Sequence, residues 1–257
     1  MEFLSWKVED NVAIVTINRP PANALARQLI EELDGILDEI AADDSARVVL
    51  LHGEGRFFSA GADIKEFTNV KTGEEFSRLA ENGQNVFEKL ETFEKPVIAA
   101  IHGAALGGGL ELAMACHMRF VTESAKLGLP ELQLGIIPGF AGTQRLPRYV
   151  GVAKAAEMMF TSDPISGVEA VQWGLANRAY ADEELLPKSL EIAKKIAKKS
   201  PVALKAAIHM LQYSKSSNYF EGVKAEAESF GTVFVSEDAK EGISAFIEKR
   251  EPVFQGK

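Results

Sequence analysis

The sequence predicts an α/β layer fold followed by a helical C-terminal region. Short β-branched runs alternate with amphipathic helical patterns through the first two-thirds of the chain. Glycines end the β-like runs, and Ser200 followed by Pro201 opens a stretch whose pattern is helical to Lys249. The expected division is an α/β core at residues 1–197 and a helical region at 198–257, with no Pro-, Ser- or Gly-rich linker between them.

The first β-like run is Val12-Ala-Ile-Val-Thr-Ile17, bounded by Asp10-Asn11 and by Pro20 and Pro21. From Ala26 to Ala42, Leu29, Leu33, Ile36, Leu37 and Ile40 recur at helical spacing and define one buried face. Val48-Val-Leu-Leu-His52 reads as a buried strand ended by Gly53 and Gly55. A helix is expected over 73–93, then a buried strand over 96–102, ended by Gly103. Ser166 and Glu169 have the spacing of a capping box, and Ser200 with Pro201 that of a capped helix start. No internal repeat of short period is visible.

A chain of 257 residues, 46% hydrophobic and 25% charged, has enough apolar material for a sizeable core. A net charge of −9 argues against nucleic acid as a partner, because neutralising phosphates needs an excess of Lys and Arg. The single cysteine, Cys116, excludes an intramolecular disulfide and a cysteine-based metal cluster, and its apolar neighbours suit a packed thiol. Met1 is followed by Glu2, Lys7, Glu9 and Asp10 rather than by a basic start and an apolar stretch, and no apolar run approaches membrane-spanning length. The expectation is a cytoplasmic protein with no membrane partner.

Three glycine-bearing segments stand out: Phe57-Phe-Ser-Ala-Gly-Ala-Asp-Ile-Lys65, His102-Gly-Ala-Ala-Leu-Gly-Gly-Gly-Leu-Glu-Leu112, and Leu129-Pro-Glu-Leu-Gln-Leu-Gly-Ile-Ile-Pro-Gly-Phe-Ala-Gly-Thr-Gln-Arg145. In the second, a buried strand runs into Gly107, Gly108 and Gly109, after which an apolar helical pattern begins. Three glycines in a row are costly in backbone entropy unless the backbone needs unusual dihedrals or close approach. A helix starting there points free N–H groups at whatever lies in front of it, and such donors can hold an anion or a developing oxyanion. Glu111, one turn past Gly108, shares its helix face. Tight strand–helix packing alone is the other reading of this triplet.

Other chemistries leave no trace. The chain has no Gly-x-x-x-x-Gly-Lys-Ser/Thr, no Gly-x-Gly-x-x-Gly and no Gly-x-Ser-x-Gly, so P-loop, dinucleotide-binding and nucleophile-elbow motifs are missing. His52, His102, His117 and His209 form no His-Glu-x-x-His pair, and no metal site is expected.

Taken together the three segments resemble the crotonase (enoyl-CoA hydratase/isomerase) superfamily. The resemblance runs over nearly the whole chain, including Val-Thr-Ile-Asn-Arg-Pro at 15–20 with Asn23-Ala-Leu25, Lys95-Pro-Val-Ile-Ala-Ala-Ile101 and Gly242-Ile-Ser-Ala-Phe-Ile-Glu-Lys-Arg250. It implies a spiral of ββα turns followed by a helical trimerisation region, and a homotrimer or dimer of trimers. It also implies an acyl-CoA thioester substrate with no separate cofactor. By motif the thioester oxygen would be held by the backbone N–H groups of Ala62 and Gly108. The catalytic carboxylates would be Glu111, in Gly-Gly-Gly-x-Glu, and Glu131, after Pro130.

Possession of both glutamates is the pattern of the hydratases in this family. The implied reaction is addition of water to a 2-trans-enoyl-CoA, giving a 3-hydroxyacyl-CoA as in fatty-acid β-oxidation. Glu111 is assigned mainly to activating water and Glu131 mainly to proton delivery at C2. Ala60, Asp63, Ile64, Lys65 and Lys249 match positions that contact coenzyme A, and Phe246 matches either an acyl-tunnel residue or a core aromatic. Two alternatives share the fold: a hydratase for a branched or acidic enoyl-CoA such as 3-methylglutaconyl-CoA, and a non-enzymatic RNA-binding protein. One departure bears on the acyl pocket. Many relatives have Pro-Gly-Ala-Gly-Gly-Thr where this chain has Pro138-Gly-Phe-Ala-Gly-Thr143, so Phe140 and Ala141 replace smaller residues near Glu131.

Overall fold

Two sheets set nearly all of the positions that matter. The computed structural model describes residues 1–67, 72–215 and 236–257. The helical pattern expected over 216–235 and the side chains of Lys65 and Phe246 lie outside the described residues. The chain opens with a hairpin of β1 (Leu4–Glu9) and β2 (Val12–Ile17), paired antiparallel. Its two-residue loop, Asp10 and Asn11, has φ of 49° and 63°, the double positive φ that a tight hairpin turn requires. α1 (Arg27–Ala42) follows and buries the predicted Leu29, Leu33, Ile36, Leu37 and Ile40 stripe. Then come β3 (Val48–Gly53), α2 (Ile64–Phe67), α3 (Gly73–Glu91), β4 (Val97–Ile101), β5 (Ala104–Leu106) and α4 (Gly108–Ala115). After β6 (Met118–Thr122) and β7 (Lys126–Gly128), a 3₁₀ turn at Glu131–Leu134 leads into α5 (Gly142–Thr161). The remaining elements are β8 (Ile165–Ser166), α6 (Gly167–Gln172), β9 (Arg178–Tyr180), α7 (Leu185–Ala197), α8 (Pro201–Gln212) and α9 (Glu237–Glu248).

The larger sheet has the order β1-β2-β3-β4-β6-β9, parallel from β2 onward, and the smaller has β5-β7-β8. After β4 the chain steps into the small sheet at β5 and then into α4; after β6 it steps to β7 and then to the 3₁₀ turn and α5. Earlier turns do the same in rudiment, since isolated bridges join Leu25 to Ala62 and Ser59 to Ala105. The path is therefore a spiral of strand, short strand, helix. Parallel strands covered on both sides should be apolar on both faces, and they are. Val12, Val48, Leu50, Ile98 and Phe120 pack under Leu185, Ala193 and Ala197 of α7, while Val15, Val49, Leu51 and Ala99 face α1, α3 and α4.

The predicted caps match the structure. The Ser166 side chain accepts from the Glu169 N–H while the Glu169 carboxylate accepts from the Ser166 N–H. Ser200 Oγ accepts from the Ala203 N–H at 3.2 Å, with Pro201 at the first helical position. Cys116 is buried, and burial pushes its thiol up to about 12, in keeping with a packed, unreactive side chain.

The three consecutive glycines serve three different needs. Gly107 has φ 51° and ψ −128°, a conformation that side-chain-bearing residues avoid. Gly108 lies against the Phe140 ring, whose carbons are 3.2 Å from where its Cβ would be. Gly109 is a packing glycine, because a Cβ there would sit 2.4 Å from the Ser59 carbonyl oxygen. Gly109→Ala should therefore cost about 1–3 kcal/mol of stability in urea unfolding, as overpacking does. Gly35→Ala, in the interior of α1 where a Cβ meets only the end of Met1 at 3.8 Å, should instead stabilise by about 0.5–1 kcal/mol.

Candidate active site

α4 is apolar all round and every one of its residues is buried, as expected of a central helix. Its only charged group is Glu111, which is 1% exposed. A carboxylate in such a place is costly unless hydrogen-bonded. The chain meets this need with the loop before α5. The N–H groups of Phe140 and Gly142 both donate to Glu111 Oε1, at 2.8 and 2.7 Å. They converge because Ala141 between them is left-handed, φ 66° and ψ 23°. Successive N–H groups turned inward in this way form an anion-binding nest. No alanine could replace Gly142, since its Cβ would lie 2.7 Å from the same oxygen.

Arg145 holds this loop from behind. It is buried, and its Nη1 donates to the Phe140 carbonyl at 2.8 Å, so Phe140 is held through both its N–H and its carbonyl. The guanidinium is paired in turn, Nε to Glu91 Oε2 at 2.8 Å. Arg148 and Lys215 reach the other Glu91 oxygen at 2.8 and 3.1 Å. Burial alone would push Glu91 up, but the Arg145 guanidinium, with Lys215 and Arg148, holds its carboxyl below the usual range. Lys215 follows α8, so the C-terminal region is tied through this cluster to the loop that binds Glu111.

Glu131 enters from the 3₁₀ turn after β7. Its Oε1 lies against Gly107, 3.1 Å from the position of a Cβ there. Its Oε2 is buried with no hydrogen-bond partner among the described residues. Glu111, Glu131, Ala60, Gly61, Ala62, Ile64, Gly107, Gly108 and Phe140 line one cleft. Among the described residues its lining holds no Lys, Arg or His. Burial raises both carboxyls. Glu111 reaches about 8, with repulsion from Glu131 adding to the effect and the two loop N–H groups and Arg145 opposing it. Among the described residues, no protein acceptor takes the N–H of Ala62 or of Gly108.

The sequence-named residues divide by location. Glu111, Glu131, Ala62, Gly108, Ala60 and Ile64 come together in the cleft. Asp63 does not line it: its carboxylate meets Arg19 Nη2 at 2.6 Å. Arg19 also donates to the Ala24 carbonyl. Asn23 bonds the Arg19 N–H and the Glu54 and Phe57 carbonyls. The Asn-Arg-Pro and Asn-Ala-Leu segments thus pin the loop that presents Ala62. Lys249 is exposed just after α9 and is not part of the cleft lining. Sequence reasoning missed the Phe140 and Gly142 donors and Arg145. Arg145 carried no distinguishing signal, since the same helix also bears Gln144, Arg148, Lys154 and Glu157.

The sequence model of the enoyl-CoA hydratase/isomerase family matches residues 7–257. The chain belongs to this family. It is 57% identical to a probable enoyl-CoA hydratase of Bacillus subtilis over the whole length of both chains. It is 44% identical to a short-chain-enoyl-CoA hydratase of Clostridium acetobutylicum, covering 94% of this chain and 93% of that one. Among solved structures, an enoyl-CoA hydratase from Bacillus anthracis superposes with a TM-score of 0.95 at 39% identity, covering all of both chains. The spiral described above is the crotonase fold of these enoyl-CoA hydratase/isomerase relatives. Among the described residues no helix is long and apolar enough to cross a membrane, and no group of three or more His, Cys, Asp and Glu is placed to hold a metal ion.

The buried Glu111 makes stability pH-dependent. Its folded value of about 8 stands above the ordinary 4.5, so the folded protein keeps a proton that the unfolded chain releases. That contribution is fully present below about pH 4.5 and is lost as pH rises through about 8. Glu111→Gln removes the titration and keeps the acceptor oxygen. Its thermal midpoint should exceed that of the native protein at about pH 9, with the gap closing towards about pH 5, in a series of melts across that range.

Proposed function

We propose that the protein is an enoyl-CoA hydratase that adds water across the 2,3-double bond of a 2-trans-enoyl-CoA to give a 3-hydroxyacyl-CoA. The observation that carries the reading is the meeting, in one apolar cleft, of two carboxyls with raised proton affinities and two peptide N–H groups without partners among the described residues. In this reading the N–H groups of Ala62 and Gly108 bind the thioester oxygen. As water attacks C3, charge moves onto that oxygen, and donors fixed in advance stabilise it without reorganising. Losing such a donor typically costs on the order of 3 kcal/mol in the barrier.

Water must lose a proton as its oxygen bonds to C3, and C2 must gain one. We assign the first to Glu111 as carboxylate and the second to Glu131 as carboxylic acid. The pair therefore works with one proton between its two carboxyls, and after one turnover that proton has changed sides. Burial and mutual repulsion favour this singly protonated state near neutral pH, because the first carboxyl to ionise raises the other. In the free cleft Glu111 has the larger rise. The assignment requires the proton to reside on Glu131 once substrate is seated, and burial of its Oε2 without a hydrogen-bond partner among the described residues favours the protonated form there.

The cleft lining favours a neutral acyl chain over an acidic one, since an acyl carboxylate would find no cation among the described lining residues. Coenzyme A belongs to the substrate, and no further cofactor enters the reaction. We assign Ala60 and Ile64 to the coenzyme A portion, and Asp63 to positioning their loop through Arg19. Lys65 and Lys249 are assigned to its phosphates, Lys249 from the chain's own tail or from a neighbouring subunit. The reading includes a cytoplasmic enzyme of fatty-acid β-oxidation that works as a homotrimer or dimer of trimers. Exposed Val152, Phe160 and Trp173 are the kind of side chains a subunit contact covers.

The test is hydration of crotonyl-CoA followed by loss of enoyl-thioester absorbance. Glu111→Gln and Glu131→Gln should each lower turnover by roughly 10²–10⁴-fold while coenzyme A binding is retained. Near-native turnover in both variants would overturn the assignment.

A further inference from the structure

The cleft has a wet end and a closed end. Ile64, Leu134 and Ile137 at its rim are 52%, 56% and 71% exposed, whereas Glu111 and Phe140 at its floor are 1% and 8% exposed. A bulky nucleotide-bearing thioester fits only with its nucleotide at the rim, so the acyl chain points inward to the floor, where the Phe140 ring lies.

That ring is wedged in place. One side lies on Gly83 of α3, where a Cβ would be only 2.3 Å from a ring carbon, and another lies on Gly108 at 3.2 Å from the Cβ position. Phe87 meets it edge-on, with centroids 5.2 Å apart and planes at 66°. Ala80, Gly83, Gln84 and Phe87 share one face of α3, and that face packs on the loop. Gln84 Nε2 donates to the Gly139 carbonyl at 2.8 Å, and Ala80 Cβ is 4.0 Å from the Gly139 Cβ position. The ring therefore has no room to withdraw towards α3, because a neighbour stands on each of those sides.

We propose that Phe140, seated on Gly83, is a specificity-determining plug that ends the acyl channel and restricts the enzyme to short enoyl chains. The inference rests on the hydratase reading and names the substrate class of that site. Shortening the side chain opens the space between Gly83, Phe87 and Gly108 to further methylenes. Each newly buried methylene is worth about fourfold in kcat/KM.

The experiment compares kcat/KM for crotonyl-CoA, 2-octenoyl-CoA and 2-decenoyl-CoA. The native protein should favour crotonyl-CoA. Phe140→Ala should raise the octenoyl-to-crotonyl ratio at least tenfold, and Phe140→Leu by less. Gly83→Ala, which pushes the ring into the cleft, should depress turnover of all three substrates, and adding Phe140→Ala to it should restore the ratio of the single Phe140→Ala variant. If Phe140→Ala does not fold, Phe140→Leu, which leaves a smaller void, carries the test. A ratio within twofold of native in the folded Phe140 variants overturns the proposal, as does a native protein that hydrates octenoyl-CoA as efficiently as crotonyl-CoA. Absence of hydration at every chain length in the native protein overturns the hydratase reading instead, and this inference with it.

Discussion

The fold around the cleft is organised to keep one carboxyl in an apolar helix. Glu111 has no access to bulk water, so its oxygen must be satisfied by the protein. Two peptide N–H groups do this, and they converge only because Ala141 takes a left-handed conformation that costs an alanine on the order of 1 kcal/mol. Such a conformation persists when its surroundings over-determine it. Here they do: Arg145 grips the Phe140 carbonyl, and Glu91 with two further cations holds Arg145. Arg145 touches the chemistry in two ways: it fixes the position of this loop, and its charge opposes the rise of the Glu111 carboxyl.

The spiral explains why the site is assembled from distant segments. Each turn carries the chain from the large sheet to the small one and delivers a group at the end of that short excursion. The second turn delivers the Ala62 N–H, the third the Gly108 N–H and Glu111, and the fourth Glu131. Because the turns stack in register, groups as far apart in sequence as Ala62 and Glu131 come to one point. Backbone donors built this way do not depend on side-chain identity. What the sequence must preserve is the freedom of Gly107 to turn and the absence of a Cβ at Gly109 and Gly142.

Much of this was legible beforehand, and the reasons differ by element. β2, β3, β4 and α1 announce themselves because each is long enough for its apolar pattern to repeat. β5 and β7, at three residues each, are too short to show a period, and they are the elements that make the spiral. The repeat also leaves no fixed spacing, because β2, β3, β4 and β6 begin at Val12, Val48, Val97 and Met118 and the helices between them differ in length. The two glutamates and two N–H positions came from motif resemblance, and the cleft does bring them together. The partner of Glu111 was not legible. Backbone N–H groups carry no residue signature, and the left-handed residue that aims them is an alanine where a glycine would have been readable.

Three breaks of local rules meet at the site. A charge in a central helix, a left-handed alanine and three glycines opening a helix are each unfavourable alone. Their common result is a cleft of low polarity that acts twice. The lining that raises the proton affinity of the carboxyls would also strengthen the attraction of the Ala62 and Gly108 N–H groups for the proposed oxyanion, since both effects grow as the surroundings lose polarity. A more polar lining would weaken proton transfer and oxyanion binding together. The Phe140 ring belongs to that logic, because it is an aromatic wall beside Gly108 and beside the carboxyl that its own N–H holds, and it keeps that side of the cleft apolar while the reacting water enters with the substrate. Chain-length selection and the low polarity of that side of the cleft are then two consequences of one side chain, and they change together when it is cut back.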